Sequence, residues 1–395
     1  MIEQINMKKI LLIFSAPLLM GACARQESVT VAVSNPIGLD REGELVEVSM
    51  AEISDRLRLP DTSQVVITDE ESREVPYQIT HDDLLVFPAS VKGESTATYT
   101  IAVGTPHPVE VTACGRVYPE RLDDLSWEND RTGFRAYGPA LQARGGRGFG
   151  YDIWTKSVPE PVLEERYDGE LNHGISYHVD HGNGMDCYAV GPTLGGGTAA
   201  LFPDSTIVYP YCYKECEVLD NGPLRFTARL VFHPLTVKGD SGVVETRIIS
   251  LDKGSQLNKT VVTYDNLSET TPVAAGIVLH REHPDGYASN ASAGYIAYAD
   301  STQSTTAGNG VIYVGAVFPD NVETTVQLFP EAEQKDRNGA LGHVLGVSSY
   351  TPGSEYVYYW GSGWSKYGFA ADTDWIQYLK EYARKVRHPL TVEVR

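Results

Sequence analysis

The run NHGISYHVDHGNGMDCYAVGPTLGGG sets His173, His178 and His181, the acid Asp186 and Tyr188 among closely spaced glycines. Apolar alternation fails there, and groups that titrate near neutral pH stand in its place. An imidazole or a phenol on a turn can reach a substrate proton, which makes His178 and Tyr188 candidates for base and acid. His173, His178, His181 and Asp186 also carry donors that suit a divalent metal. Their spacing fits no named helical metal motif, so no cofactor is expected and hydrogen bonding to ligand or backbone is the preferred reading.

A second cluster lies upstream in WENDRTGFRAYGPAL, which holds Trp127, Glu128, Asn129, Arg131, Arg135 and Tyr137. Saccharides are bound by this mixture, because an aromatic face covers the C–H side of a sugar ring while amides, acids and guanidiniums take its hydroxyls. Next come Gly145, Gly146, Arg147 and Gly148, followed by Tyr151. That loop lacks the GK[ST] ending of a phosphate cradle, so it is read as the rim of a site for a charged saccharide. His280 ends the apolar run Val273 to Leu279, where a strand emerges into a loop. Within YVYYWGSGWSKYGF most aromatics are expected in the core, with Trp364 kept as a sugar platform.

The elements that must position these groups are mainly strands. Residues 28–103 alternate in short runs broken by Asn35-Pro36, Pro60-Asp61 and Lys92-Gly93, the pattern of a small β-sandwich. From 116 to 395 the strands lengthen; Leu224, Phe226, Ala228, Leu230 and Phe232 share one face, and Val243–Leu251 and Leu257–Tyr264 form a hairpin. Asp374–Val386 has helical spacing, with Asp372 or Thr373 as its cap. The fold class is therefore mostly β: a small sandwich, a large sandwich and a C-terminal helix.

Residues 1–23 read as a lipoprotein signal, in which Lys8 and Lys9 precede the apolar run Ile10–Met20, then Gly21, Ala22 and Cys23. Cys23 is the expected lipidation site, which places the protein beyond the inner membrane, lipid-anchored at the outer membrane. The formal charge of −20 argues against a nucleic-acid partner. Cys114, Cys187, Cys212 and Cys216 could be paired in that compartment or simply buried.

Taken together, WENDRTGFRAY, YHVDHGNGMDCYAVGPTLGGG, AAGIVLHRE and YYWGSGWSKYGF resemble an uncharacterised family of exported Bacteroidetes-type lipoproteins found beside polysaccharide-degradation genes. The resemblance implies a galactose-mutarotase-like large β-sandwich and an acidic oligo- or polysaccharide as partner. The family pattern places an acid after its Tyr-His pair, whereas Val179 follows Tyr177-His178 here, leaving Asp186 as the acid of this segment. For a uronate, β-elimination needs a carboxylate neutraliser, a base and an acid. Arg131 or Arg135 would neutralise, His178 would take the proton, and Tyr188 or Tyr137 would return one. Hydrolysis would instead use Glu128 and Asp186. The expectation is a polysaccharide lyase, with hydrolase, non-catalytic glycan binder and sugar epimerase or mutarotase as alternatives.

Overall fold

Val29, Val31 and Val33 point to one side of the strand Ser28–Ser34 and are buried against Val46, Val48, Leu85, Phe87 and Ile101. Period-two alternation of β-branched residues produces this, since successive side chains leave a strand on opposite faces. A computed structural model describes residues 28–57, 64–301 and 307–395. The expected signal segment 1–23, with Cys23, lies outside them. No helix among the described residues is long and apolar enough to cross a membrane.

The small unit stacks a five-stranded sheet on a three-stranded one (Arg41–Ser49, Leu84–Val91, Gln78–Ile79). Its five-stranded sheet takes its edge from the far end of the chain: Thr391–Val394 pairs antiparallel with Ser28–Ser34, Val394 opposite Val31. The division at 103 and 116 is thus crossed by the C-terminus, which ties both units together.

In the large unit a nine-stranded antiparallel sheet contains the expected Leu224–Phe232 face, with Phe226, Ala228 and Leu230 fully buried, and the hairpin Asp240–Asp252 with Leu257–Asp265. A four-stranded sheet (Gly196–Leu201, Thr271–Leu279, Gly342–Tyr350, Glu323–Leu328) shares its core. Each large apolar side chain removed from water there stabilises by about 1.5–3 kcal/mol. The helix runs Asp372–Arg387 and buries Trp375, Leu379 and Ala383 against Tyr295, Ala297 and Tyr313. Its start differs from expectation: Ala371 occupies the cap position, and the Asp374 carboxylate accepts the Ala371 N–H at 3.1 Å. All four described cysteines are free thiols.

A third sheet, Cys114–Tyr118, Asp124–Glu128, Thr132–Ala136 and Asp152–Thr155, carries the polar residues of interest. Both faces of Asp124–Glu128 and Thr132–Ala136 are covered, so every side chain on these two strands is buried.

Candidate functional site

Arg135 lies opposite Asp152 across one strand pair and opposite Ser126 across the other. Its Nη2 donates to the Asp152 carboxylate and, at 3.0 Å, to Asp186 Oδ2, while Asp124 Oδ2 stands 3.9 Å from Nη1. Asp186 reaches this point because its loop forms a single bridge to Trp154 on the neighbouring strand. The rings of Trp154 and Tyr137 cover the guanidinium at 5.2 and 5.3 Å.

One guanidinium cannot neutralise three buried carboxylates, and the imbalance appears in their protonation. Burial, reinforced by the Asp152 charge, pushes Asp186 well above the carboxylate range towards its neutral acid. Burial also raises Asp124 to about 6, against the pull of Arg135 and Arg121. Arg135 resists its own desolvation because Asp152 and Asp186 hold it charged. Both Asp124 oxygens and the Nε and Nη1 of Arg135 are buried without a hydrogen-bond partner among the described residues.

His178 and Arg135, from segments distant in sequence, meet at Asp186. The Nδ1 of His178 is 2.9 Å from the Asp186 backbone oxygen and 3.7 Å from Oδ2, with the imidazole 57% exposed. Tyr188 is buried behind this group, and its hydroxyl has no hydrogen-bond partner among the described residues. Beyond Tyr188 its ring approaches His280, whose Nδ1 is 2.6 Å from Asp300 Oδ2.

A hollow of about 330 Å³ opens beside the cluster, lined by Tyr137, Gly146, Arg147, Gly148, Asp336 and Asn338 among others. Gly148 is required by sterics: a Cβ there would sit 2.5 Å from the Tyr137 ring. Two arginines stitch the rim together, Arg147 donating to the Asp336 backbone oxygen at 3.0 Å and Arg337 to that of Pro192 at 2.8 Å. Burial and the Asp152 charge raise Tyr137 well above the usual phenol range, so it stays protonated. Tyr137 is the residue common to the hollow and the Arg135 cluster; neither Arg135, His178, Tyr188 nor Asp186 lines the hollow.

Several residues expected at a site are used elsewhere. Glu128 is a buried anchor: one oxygen accepts the Val162 and Leu163 N–H groups at 2.8 Å, the other Lys156 Nζ at 2.5 Å. Trp127 is fully buried, donates to Asn258 Oδ1 at 2.8 Å and packs on Phe226 and Trp360, leaving no face for a sugar. Asn129 donates to the carbonyls of Asp252 and Ser255, and Tyr151 stacks on Trp360 at 3.9 Å. Trp364 is buried and donates to the Asn309 oxygen. Arg131 is exposed, 3.6 Å from Asp130.

The histidines disperse as well. His173 pairs with Asp168 at 3.0 Å and His181 with the Ser176 carbonyl at 3.0 Å, both at the surface, so with His178 and Asp186 they form no common ligand set. No group of three or more His, Cys, Asp or Glu side chains among the described residues is placed to hold a metal ion. Asp124, Asp152, Asp300 and Asp336 carry no local motif in the sequence. An acid within a strand reads as a solvent-facing residue, and only the cross-strand register with Arg135 turns Asp152 inward.

A family model described as a domain of unknown function, DUF4861, matches residues 33–392. The chain is 26% identical, over an alignment of 419 residues, to an uncharacterized protein P7 of Formosa agariphila, covering 98% of this chain and 100% of that one. Among solved structures it is similar to a protein in glycosyl hydrolase family 38 from Enterococcus faecalis, with TM-score 0.48, 6% identity, and coverage of 93% of this chain and 47% of the other. An alpha-mannosidase from Enterococcus faecalis V583 gives TM-score 0.45, 10% identity, and coverage of 93% and 46%. The chain spans about half the length of those two structures. Likeness at this level bears on neither activity nor substrate.

Proposed function

The chain belongs to the DUF4861 family of domains of unknown function, and we propose that it is an exported, Cys23-lipidated protein that cleaves acidic glycans by β-elimination at the Tyr137 hollow. The observation that carries this reading is the lining of that hollow. Tyr137, Arg147, Asp336 and Asn338 together line about 330 Å³, the lower end of ligand-pocket sizes. Arg147 spends one Nη2 hydrogen bond on the Asp336 carbonyl, and the rest of its fork is suited to a uronate carboxylate.

In this reading Arg147 neutralises the carboxylate and so makes the C5 proton acidic. The Asp336 carboxylate takes that proton, the C–H electron pair becomes the C4–C5 double bond, and the bond from C4 to the leaving oxygen breaks. Tyr137 gives its proton to that oxygen, and solvent resets both side chains. Arg135 serves a supporting part: its Nη2 is engaged by Asp152 and Asp186, and it holds the cluster on which Tyr137 rests. Hydrolysis by Glu128 and Asp186 is disfavoured because Glu128 is consumed by Lys156 and two backbone amides.

The test is to incubate the protein with a panel of uronate oligosaccharides, following ultraviolet absorbance of the unsaturated product together with reducing ends. Absorbance gain that disappears in Arg147→Ala supports elimination at this hollow. Reducing ends without absorbance would mean hydrolysis, and binding with unchanged sugar would mean a glycan receptor; either result overturns the proposal.

A further inference from the structure

A second cavity, of about 550 Å³, lies where the small unit, the nine-stranded sheet and the C-terminal helix meet. Its floor is a cross-strand row on the sheet, Ser250 opposite Lys259 and Lys259 opposite Tyr359. The helix forms one wall with Tyr378, Tyr382 and Lys385, and the strand segment Glu42–Glu47 forms the other. Tyr359 meets Tyr382 edge to face at 5.3 Å, and Tyr382 lies 5.9 Å from Tyr378, a continuous aromatic surface.

We propose that this cleft is a second binding site, specific for a neutral oligosaccharide. The charges on its walls select the class of ligand. Four carboxylates, Glu42, Glu44, Glu47 and Asp252, face four cations, Arg225, Lys253, Lys259 and Lys385. Five of them are engaged in pairs: Arg225 with Asp252 and Glu47 at 2.6 Å, and Glu44 with the buried Arg41 at 2.7 Å and with Lys385 at 4.0 Å. Outside these pairs the walls keep Glu42 as well as Lys253 and Lys259, so a charged ligand of either sign meets a like charge. A polyhydroxylated neutral chain gains donors and acceptors from both signs while its C–H faces cover the tyrosines. The volume falls within the range of small-molecule pockets and exceeds that of the Tyr137 hollow. This site does not depend on the elimination reading, since the two cavities share no residue.

The experiment is titration calorimetry of the whole protein with neutral hexasaccharides derived from glucan, mannan, galactan and xylan, alongside a uronate hexasaccharide. At least one neutral hexasaccharide is expected to bind, with affinity reduced about tenfold in Tyr359→Ala and in Lys259→Met and unchanged in Arg147→Ala. Lys259 is exposed, so its variant keeps the test open if removing the Tyr359 ring disturbs folding. The proposal is overturned if no neutral hexasaccharide binds, if Lys259→Met binds as wild type, or if Arg147→Ala abolishes binding.

Discussion

His178 Nδ1 lies 2.9 Å from the backbone oxygen of Asp186, so the exposed imidazole is bonded to the main chain of the residue whose side chain meets Arg135. That bond fixes the ring without placing it at the Tyr137 hollow. Elimination should therefore survive His178→Ala with turnover within about threefold of wild type, below the 10²–10⁴-fold effect of losing a proton-transfer group. Steady-state assays on a uronate oligosaccharide decide it, and a hundredfold loss with an intact fold would restore His178 as the base.

Tyr137→Phe removes one oxygen and keeps the ring against Gly148 and over Arg135. Turnover is expected to fall by about 10²-fold or more while the circular-dichroism spectrum and melting temperature stay near wild type. Unchanged turnover would exclude the hydroxyl as the acid.

Glu128 carries the opposite expectation. Lys156 Nζ also donates to the carbonyls of Asn129 and Glu160, so the pair sits inside a closed network with no exposed face. Replacing Glu128 with Ala strands a buried ammonium and two backbone amides, and should lower unfolding free energy by about 3–5 kcal/mol. Activity per folded molecule should persist. Denaturant titration with active-site normalisation separates the two effects, and a stable but inactive variant would return Glu128 to the chemistry.

These contrasts explain what was legible in the sequence. The face Leu224–Phe232 and the helix around Trp375, Leu379 and Ala383 follow local periods, and periodicity needs no knowledge of partners. Trp127 and Glu128 belong to a strand covered on both sides, where residue type does not reveal whether a polar group meets ligand or protein. The Arg135 cluster depends on register with Asp152 and on a loop that delivers Asp186, both set by long-range packing. Thr391–Val394 is four residues long, and its pairing with the first described strand leaves no local mark. Gly148 beside Tyr137 was visible as a flexible loop, but its purpose emerges only from the closeness of the ring.

The pH dependence of stability provides a test of the buried charges. Burial raises Asp124 from its ordinary 3.8 to about 6. The native state thus holds a proton that the unfolded chain releases, and stability falls as pH rises between those values. His343 acts in the opposite sense: burial, with the Arg337 charge, lowers it from 6.5 to about 3, so stability falls as pH drops through that window. Between about pH 4 and 6 the falling contributions of Asp124 and Asp186 oppose the rising one of His343 in the wild type. Asp124→Asn removes one falling contribution and keeps that of Asp186, so the variant gains stability relative to wild type as pH rises. The difference between variant and wild type should grow by on the order of 3 kcal/mol across that interval, from the displacement of Asp124 at about 1.4 kcal/mol per pH unit. Urea denaturation at half-unit steps measures both curves. Parallel curves would mean that Asp124 is ionised in the folded protein and that Arg135 balances more of the surrounding charge than its geometry indicates.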